Sequence, residues 1–243
     1  MQYRILGVTR STDGRRVEFQ LPGGSLGQNA ARELADAAER ERENRNVRVL
    51  IVTARESPFC DGGADDLDPS SIDPAAALAA LRPPVIAVIT GACRSVGLEL
   101  ALAADIRFCS PDATFCFPDL AAGRLPCWGG TQRLPRAVRP AMATAMLLTG
   151  QALDSAQARS LGLIYEVADN PYTAAEAMAE TLSGLGPLAL EFAKEAVHRG
   201  SELPLRDGLR LEGDLNHQLA ATADRAEGIR AFFDKRPPDF SGR

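Results

Sequence analysis

The chain has 243 residues, 45% apolar and 24% charged, which fits one large globular domain or a domain with an appendage. Its 27 basic against 32 acidic residues leave a net charge of −5 with no Lys/Arg cluster, so nucleic acid is not an expected partner. No apolar run approaches the roughly 20 residues a bilayer span needs, no basic and apolar leader opens the chain, and the five cysteines show no C-x-x-C spacing. A membrane protein, a disulfide scaffold and a zinc module are therefore not expected, and a reducing cytoplasm is the natural setting.

Residues 2–9 and 15–20 read as two strands around a turn at Thr12-Asp13-Gly14. A glycine-rich connection, 22–27, leads into a helix over 28–43 with Ala31, Leu34, Ala35 and Ala38 as its inner stripe. Val47 to Thr53 is a β-branched run, and the strand–helix–strand order predicts parallel crossover units. Residues 58–68, PFCDGGADDLD, are turn chemistry: adjacent glycines for unusual dihedrals, and closely spaced acids. Without a histidine or an EF-hand spacing, those acids read as caps and solvated charges, not metal ligands. A short helix, 74–81, follows.

The stretch from Val85 to Ile106, VIAVITGACRSVGLELALAADI, is the most informative. Val85 to Thr90 reads as a fully buried strand, Gly91 to Ser95 as a turn, and Val96 to Ala104 as a helix that is apolar nearly all round. Its one charge, Glu99, lies in the first turn. Burying a carboxylate costs several kcal/mol unless something satisfies it. Glu99 is either a self-capping helix start or a catalytic carboxylate beside backbone N–H donors.

Short strands are expected at 106–109 and 114–117, the second ended by Pro118-Asp119. Asp119 reads either as a helix cap or as a functional acid. A loop at 123–130 holds the only tryptophan, Trp128. Helices follow at 131–136, 140–149 and 155–161, then a strand at 164–167, and everything from Tyr172 onward is helical. The expected organisation is a strand-rich core over 1–168 and a helical region over 169–243. That region is too thin to fold alone and is expected to pack on the core or on a neighbouring subunit.

Nucleotide-cofactor motifs are missing: there is neither G-x-G-x-x-G nor G-x-x-x-x-G-K-[ST]. The two histidines, His198 and His217, fall on amphipathic C-terminal helices and read as surface or interface residues. Cys93-Arg94-Ser95-Val96-Gly97 differs from the G-x-S-x-G nucleophile elbow only in its first residue. Against that reading, Ser95 lies five residues past the strand end at Thr90, which is not a tight turn. Glu99 and Asp119 suit a different chemistry. If they converge, one can activate water while the other delivers a proton.

Taken together, FCDGGADDL (59–67), PPVIAVITGACRSVGLELALAADIRFCSPDATFCFPD (83–119), GRLPCWGGTQRLPR (123–136) and LLTGQALDSAQARSLGLIYEV (147–167) resemble the enoyl-CoA hydratase (crotonase) superfamily. DRAEGIRAFFDKRPPDF (224–240) is similar to that family's last helix. The resemblance implies an α/β fold: a β/α spiral core with a helical C-terminal region that builds trimers, often paired as hexamers. It implies an acyl-CoA thioester as substrate, with coenzyme A part of that substrate and no separate cofactor or metal. Ala64 and Val96 would supply the two N–H groups of an oxyanion hole, and Glu99 and Asp119 the acid/base pair. Gly63, Asp65, Pro118, Leu125, Pro126 and Cys127 would contact substrate.

The departures from the family pattern are specific. Its glycine triplet is Ser95-Val96-Gly97 here, its second glutamate is Asp119, and Cys127 stands where hydratases carry glycine. The first loop has one extra residue, which makes Gly63 the alternative donor to Ala64. Arg94 is an unusual charge in its turn, and the segment between Asp68 and Pro83 is short. The expected activity is hydration of a 2-enoyl-CoA. An enoyl-CoA isomerase using Asp119 alone, and a CoA-binding assembly subunit of weak activity, are the rival readings.

Overall fold

The structure is a computed structural model and describes residues 3–243. β1 (Gly7–Arg10) and β2 (Arg16–Leu21) form a hairpin closed at Gly14, which holds a φ of 69°. Gln2 of the expected first strand lies outside the described residues. The chain continues through α1 (Gln28–Glu43), β3 (Val49–Ala54), β4 (Cys60–Asp61), α2 (Pro74–Ala79), β5 (Val85–Ile89), β6 (Ala92–Arg94) and α3 (Val96–Ala103). Then come β7 (Ile106–Cys109), β8 (Thr114–Cys116), a 3-10 turn (Asp119–Ala122), α4 (Gly130–Ala137), α5 (Pro140–Thr149), β9 (Leu153–Asp154), α6 (Ser155–Ser160) and β10 (Glu166–Val167). Four helices end the chain: α7 (Pro171–Ser183), α8 (Pro187–Gly200), α9 (Leu205–Ala220) and α10 (Ala223–Asp234).

Two sheets organise these elements. One has the order β1-β2-β3-β5-β7-β10 and is parallel except for the β1–β2 hairpin; the other has the order β4-β6-β8-β9. The chain alternates between them: β3, β5 and β7 sit side by side in the first sheet, and β4, β6 and β8 in the second. Each turn of this spiral thus adds one strand to each sheet. The residues that follow β4 (ending at Asp61), β6 (ending at Arg94) and β8 (ending at Cys116) therefore emerge as neighbours, although they are far apart in the chain.

β5, and β3 apart from Thr53, are apolar along their length because both faces are covered. One face carries the main core, including Leu34 of α1, Leu78 of α2 and Leu98 of α3. The other packs Val49, Ile51, Ile86, Val88 and Phe108 against Ala175 and Ala179 of α7. So α7, beyond residue 168, closes the core sheet, and the later helices attach at its margin. Asp105, just before β7, receives the Val85 N–H (2.7 Å), Lys194 Nζ (2.7 Å) and His198 Nε2 (2.8 Å), tying α8 to the sheet. Asp224 of α10 accepts the N–H groups of Ser241 and Gly242 at 2.7 and 2.9 Å, folding the C-terminal tail back. Among the described residues no helix is long and apolar enough to cross a membrane.

Several expectations are corrected. The first strand begins at Gly7, since residues 3–6 run as coil and bends, and the chain beyond Asp234 is not helical. Residues 58–68 and 91–95 are not turn throughout, because they contain β4 and β6; strands of two or three residues are too short to show a two-residue period. The last strand is 166–167, not 164–167: the N–H groups of Leu163 and Ile164 bond the Ala158 carbonyl and belong to the end of α6. On α1, Ala35 is half-buried and Ala37 takes its place in the core.

Candidate active site

α3 starts where β6 ends, with Ser95 as the only residue between them. Ser95 has φ 50° and ψ −123°, a region that glycine enters freely and a serine does not. Such strain costs about 1–3 kcal/mol and persists only where the surroundings enforce it. Two contacts do so here. The Ser95 N–H bonds the Cys116 carbonyl at 3.1 Å, and its Oγ donates to Asp119 Oδ1 at 2.5 Å. Gly97, one residue into the helix, has a different requirement. A Cβ there would lie 2.5 Å from Cys60 Cβ and 2.6 Å from the Cys60 carbonyl oxygen. Only glycine lets the start of α3 lie against β4.

Glu99 is fully buried. It does not cap its own helix. Its Oε1 accepts from the backbone N–H groups of Trp128 and Gly130, each at 2.7 Å, so it sits at the N-terminus of α4. Gly129 makes this possible by turning the chain at φ 94°. Burial pushes the Glu99 carboxyl up to about 7 against the lowering effect of the Gly130 and Trp128 N–H groups, and the nearby Asp119 charge adds to the rise. Its other oxygen, Oε2, is buried with no partner among the described residues.

Asp119 opens the 3-10 turn after β8 and is 5% exposed. It caps no helix with its side chain. Oδ1 holds the Ser95 hydroxyl, and Oδ2, like Glu99 Oε2, is buried and unpartnered. Two orphaned carboxylate oxygens in one cleft are unusual for a folded protein.

The backbone donors correct one assignment. The connection 22–27 pairs with the loop after β4: Leu26 N–H bonds the Gly62 carbonyl and Ala64 N–H bonds the Leu26 carbonyl, both at 2.9 Å. The Ala64 N–H is therefore occupied. The Gly63 N–H, which alternates to the other side, has no partner among the described residues. The Val96 N–H, first in α3, has none either.

These groups share a cleft of about 520 Å³, a size typical of small-molecule sites. Gly63, Ala64, Asp65, Val96, Glu99, Asp119, Leu125, Pro126 and Cys127 all line it. Pro118 does not; it is exposed and precedes the 3-10 turn. Sequence reasoning missed Arg124 and Leu67, whereas Asp68, Pro69 and Ser70 open the short segment that the family resemblance makes a wall of the acyl pocket; Trp128 Nε1 braces it by donating to the Pro69 carbonyl at 2.9 Å. Sequence reasoning also missed Ser95 as the partner of Asp119. Arg94 pairs with Asp61 at 3.2 Å across β4 and β6, half-exposed. Asp66 and Asp73 act as caps, receiving the N–H groups of Gln28 (3.3 Å) and Ala76 (2.8 Å). Cys127 is exposed, but burial of its thiol and then Glu99 push its pKa up, which disfavours a nucleophilic thiolate.

The family model for enoyl-CoA hydratase/isomerase matches residues 16–243. The chain belongs to the enoyl-CoA hydratase/isomerase family. It is 36% identical over 224 residues to the 2,3-dehydroadipyl-CoA hydratase of Escherichia coli, covering 87% of this chain and 88% of that one. It is also 36% identical to the bovine mitochondrial enoyl-CoA hydratase domain-containing protein 2, over 90% of this chain and 80% of that one. The crystal structure of an enoyl-CoA hydratase from Bacillus anthracis superposes with a TM-score of 0.89 at 29% identity, over 99% of this chain and all of that one. This member of the enoyl-CoA hydratase/isomerase family is thus an enzyme with the spiral fold its sequence implies.

The buried Glu99 carries a stability cost that depends on pH. Its folded pKa of about 7 lies above the ordinary 4.5, so the native state keeps a proton that the unfolded chain releases. Stability falls as pH rises from 4.5 through 7, by about 3 kcal/mol in total. Glu99→Gln lacks this term. It is expected to melt several degrees above wild type at pH 8, with the gap closing by pH 5, as read by calorimetry. Equal melting temperatures at both pH values would contradict the buried-carboxylate assignment.

Proposed function

We propose that the chain is an enoyl-CoA hydratase, adding water across the 2,3 double bond of an acyl-CoA thioester. The observation that carries this reading is the pair of buried, unpartnered oxygens, Glu99 Oε2 and Asp119 Oδ2, in a cleft that also holds the free N–H groups of Gly63 and Val96. A water between the two carboxyls would satisfy both orphaned oxygens. The thioester carbonyl oxygen would accept from the Gly63 and Val96 N–H groups. Two backbone donors fixed in place before the reaction would favour the enolate over the ground-state carbonyl. Glu99, when ionised, accepts a proton as the water oxygen bonds C3. That proton then passes by way of Asp119 to C2, so one water is divided between C3 and C2 and both carboxyls end as they began. The isomerase reading needs one carboxylate and no water site, so the second orphaned oxygen favours hydration.

Glu99 sits near neutrality, and its base form is lost as pH falls below about 7. The rate should therefore rise with pH through that value. With crotonyl-CoA, loss of the conjugated thioester absorbance is expected for wild type. It should fall by about 100-fold or more in Glu99→Gln and in Asp119→Asn. Gly63→Pro, which removes that N–H, is expected to slow it as well, whereas turnover of a 3-enoyl-CoA without hydration of crotonyl-CoA would favour the isomerase.

The same reading includes self-association. Leu205, Leu209, Phe232 and Phe233 are large apolar side chains exposed on α9 and α10, with Phe232 and Phe233 79% and 76% exposed. Exposed aromatic pairs of this kind mark interaction surfaces. A trimer, or two trimers paired, is expected in analytical ultracentrifugation, and Phe232→Asp with Phe233→Asp should dissociate it. A monomeric wild type would contradict it.

A further inference from the structure

The segment Cys93-Arg94-Ser95-Val96-Gly97 is a strand, one residue and a helix. Measured from Thr90, Ser95 lies too far from a strand end for a nucleophile turn. β6 removes that objection, because it runs to Arg94. Ser95 then holds φ 50° and ψ −123°, the kind of sharp, strained strand-to-helix junction that presents a side chain to a cleft. Ser95 lines the cleft. Its Oγ donates to Asp119 Oδ1 at 2.5 Å, and Asp119 is nearly fully buried. Among the described residues the next N–H in the chain, that of Val96, is unpartnered, as is that of Gly63 on the opposing loop.

Hydration uses the carboxylates and the two N–H donors, but it gives the Ser95 hydroxyl no bond to make. Neither histidine lines the cleft, and His198 is held by Asp105, so among the described residues the carboxylate itself is the only base in contact with this hydroxyl.

We propose that Ser95 and Asp119 form a nucleophile–base pair that hydrolyses acyl-CoA thioesters, above all saturated ones that have no double bond to hydrate. The inference rests on the reading that the thioester carbonyl lies between the Gly63 and Val96 N–H groups. Ser95 Oγ bonds the carbonyl carbon while Asp119 takes the hydroxyl proton. The carbon–sulfur bond then breaks, and the coenzyme A sulfur leaves with that proton as the free thiol. Water attacks the resulting acyl-Ser95 ester and passes a proton to Asp119. The ester bond breaks, Oγ recovers the proton, and the carboxylic acid departs. The net change is thioester plus water to acid plus thiol, with no redox step.

Butyryl-CoA is the probe, because it cannot be hydrated. Binding is followed by calorimetric titration, coenzyme A release by chromatography, and acylation by intact mass with peptide mapping. Wild type is expected to bind butyryl-CoA, release coenzyme A and carry a butyryl group on Ser95. Ser95→Ala, and Ser95→Gly (which also relieves the backbone), should still bind it but release coenzyme A about 100-fold more slowly or less. Binding without release by wild type would overturn the proposal and leave Ser95 as a group that only orients Asp119. Release at the wild-type rate by both Ser95 variants would overturn it too. Failure to bind butyryl-CoA together with failure to hydrate crotonyl-CoA would remove the acyl-CoA reading itself and this inference with it.

Discussion

The site depends on one buried carboxylate held by a neighbouring helix. Glu99 lies on the most apolar helix of the chain, where an unsatisfied charge costs several kcal/mol. The N–H groups of Trp128 and Gly130 satisfy one oxygen and leave the other bare. That partial satisfaction places the carboxyl near 7, where it can both accept and donate a proton at neutral pH. Full satisfaction would have given an inert ion. None at all would have given a permanently neutral acid.

The spiral is what makes this arrangement available. β4, β6 and β8 lie side by side, so the segments leaving them meet at one end of the small sheet. The first brings Gly63, the second Ser95, Val96 and Glu99, and the third Asp119. The close packing of Gly97 on Cys60 then brings the start of α3 against the Gly63 loop, and the strained Ser95 is bound to Asp119. Strain of this kind belongs where geometry matters more than stability.

Much of this was legible in the sequence, for physical reasons. The β-branched runs at 49–54 and 85–89 are long enough to show burial on both faces, and a lone acid in an apolar helix marks itself as exceptional. Glu99 and Asp119 were recognisable as residues, but the donors of Glu99 were not: they come from a helix 30 residues on, through a turn that only the fold positions. Whether Gly63 or Ala64 offers its N–H depends on which of them faces Leu26. That is a matter of register, and an inserted residue in a loop hides it. The family resemblance puts Pro118 in the site, yet ahead of the 3-10 turn it is exposed and lies outside the cleft lining. In the sequence Ser95 reads as five residues past a strand end at Thr90, because three residues of β6 leave no pattern to read.

The central claim is that Glu99 is a carboxyl poised near neutrality by burial against two backbone N–H groups. Its titration tests this most directly. Carbon-13 labelled glutamate, with Glu99→Gln to assign the resonance, reports the ionisation of that one group across pH. The account predicts a midpoint near 7. A midpoint near the ordinary 4.5 would show that the carboxyl is solvated or otherwise satisfied, and would contradict the account of how this cleft handles protons.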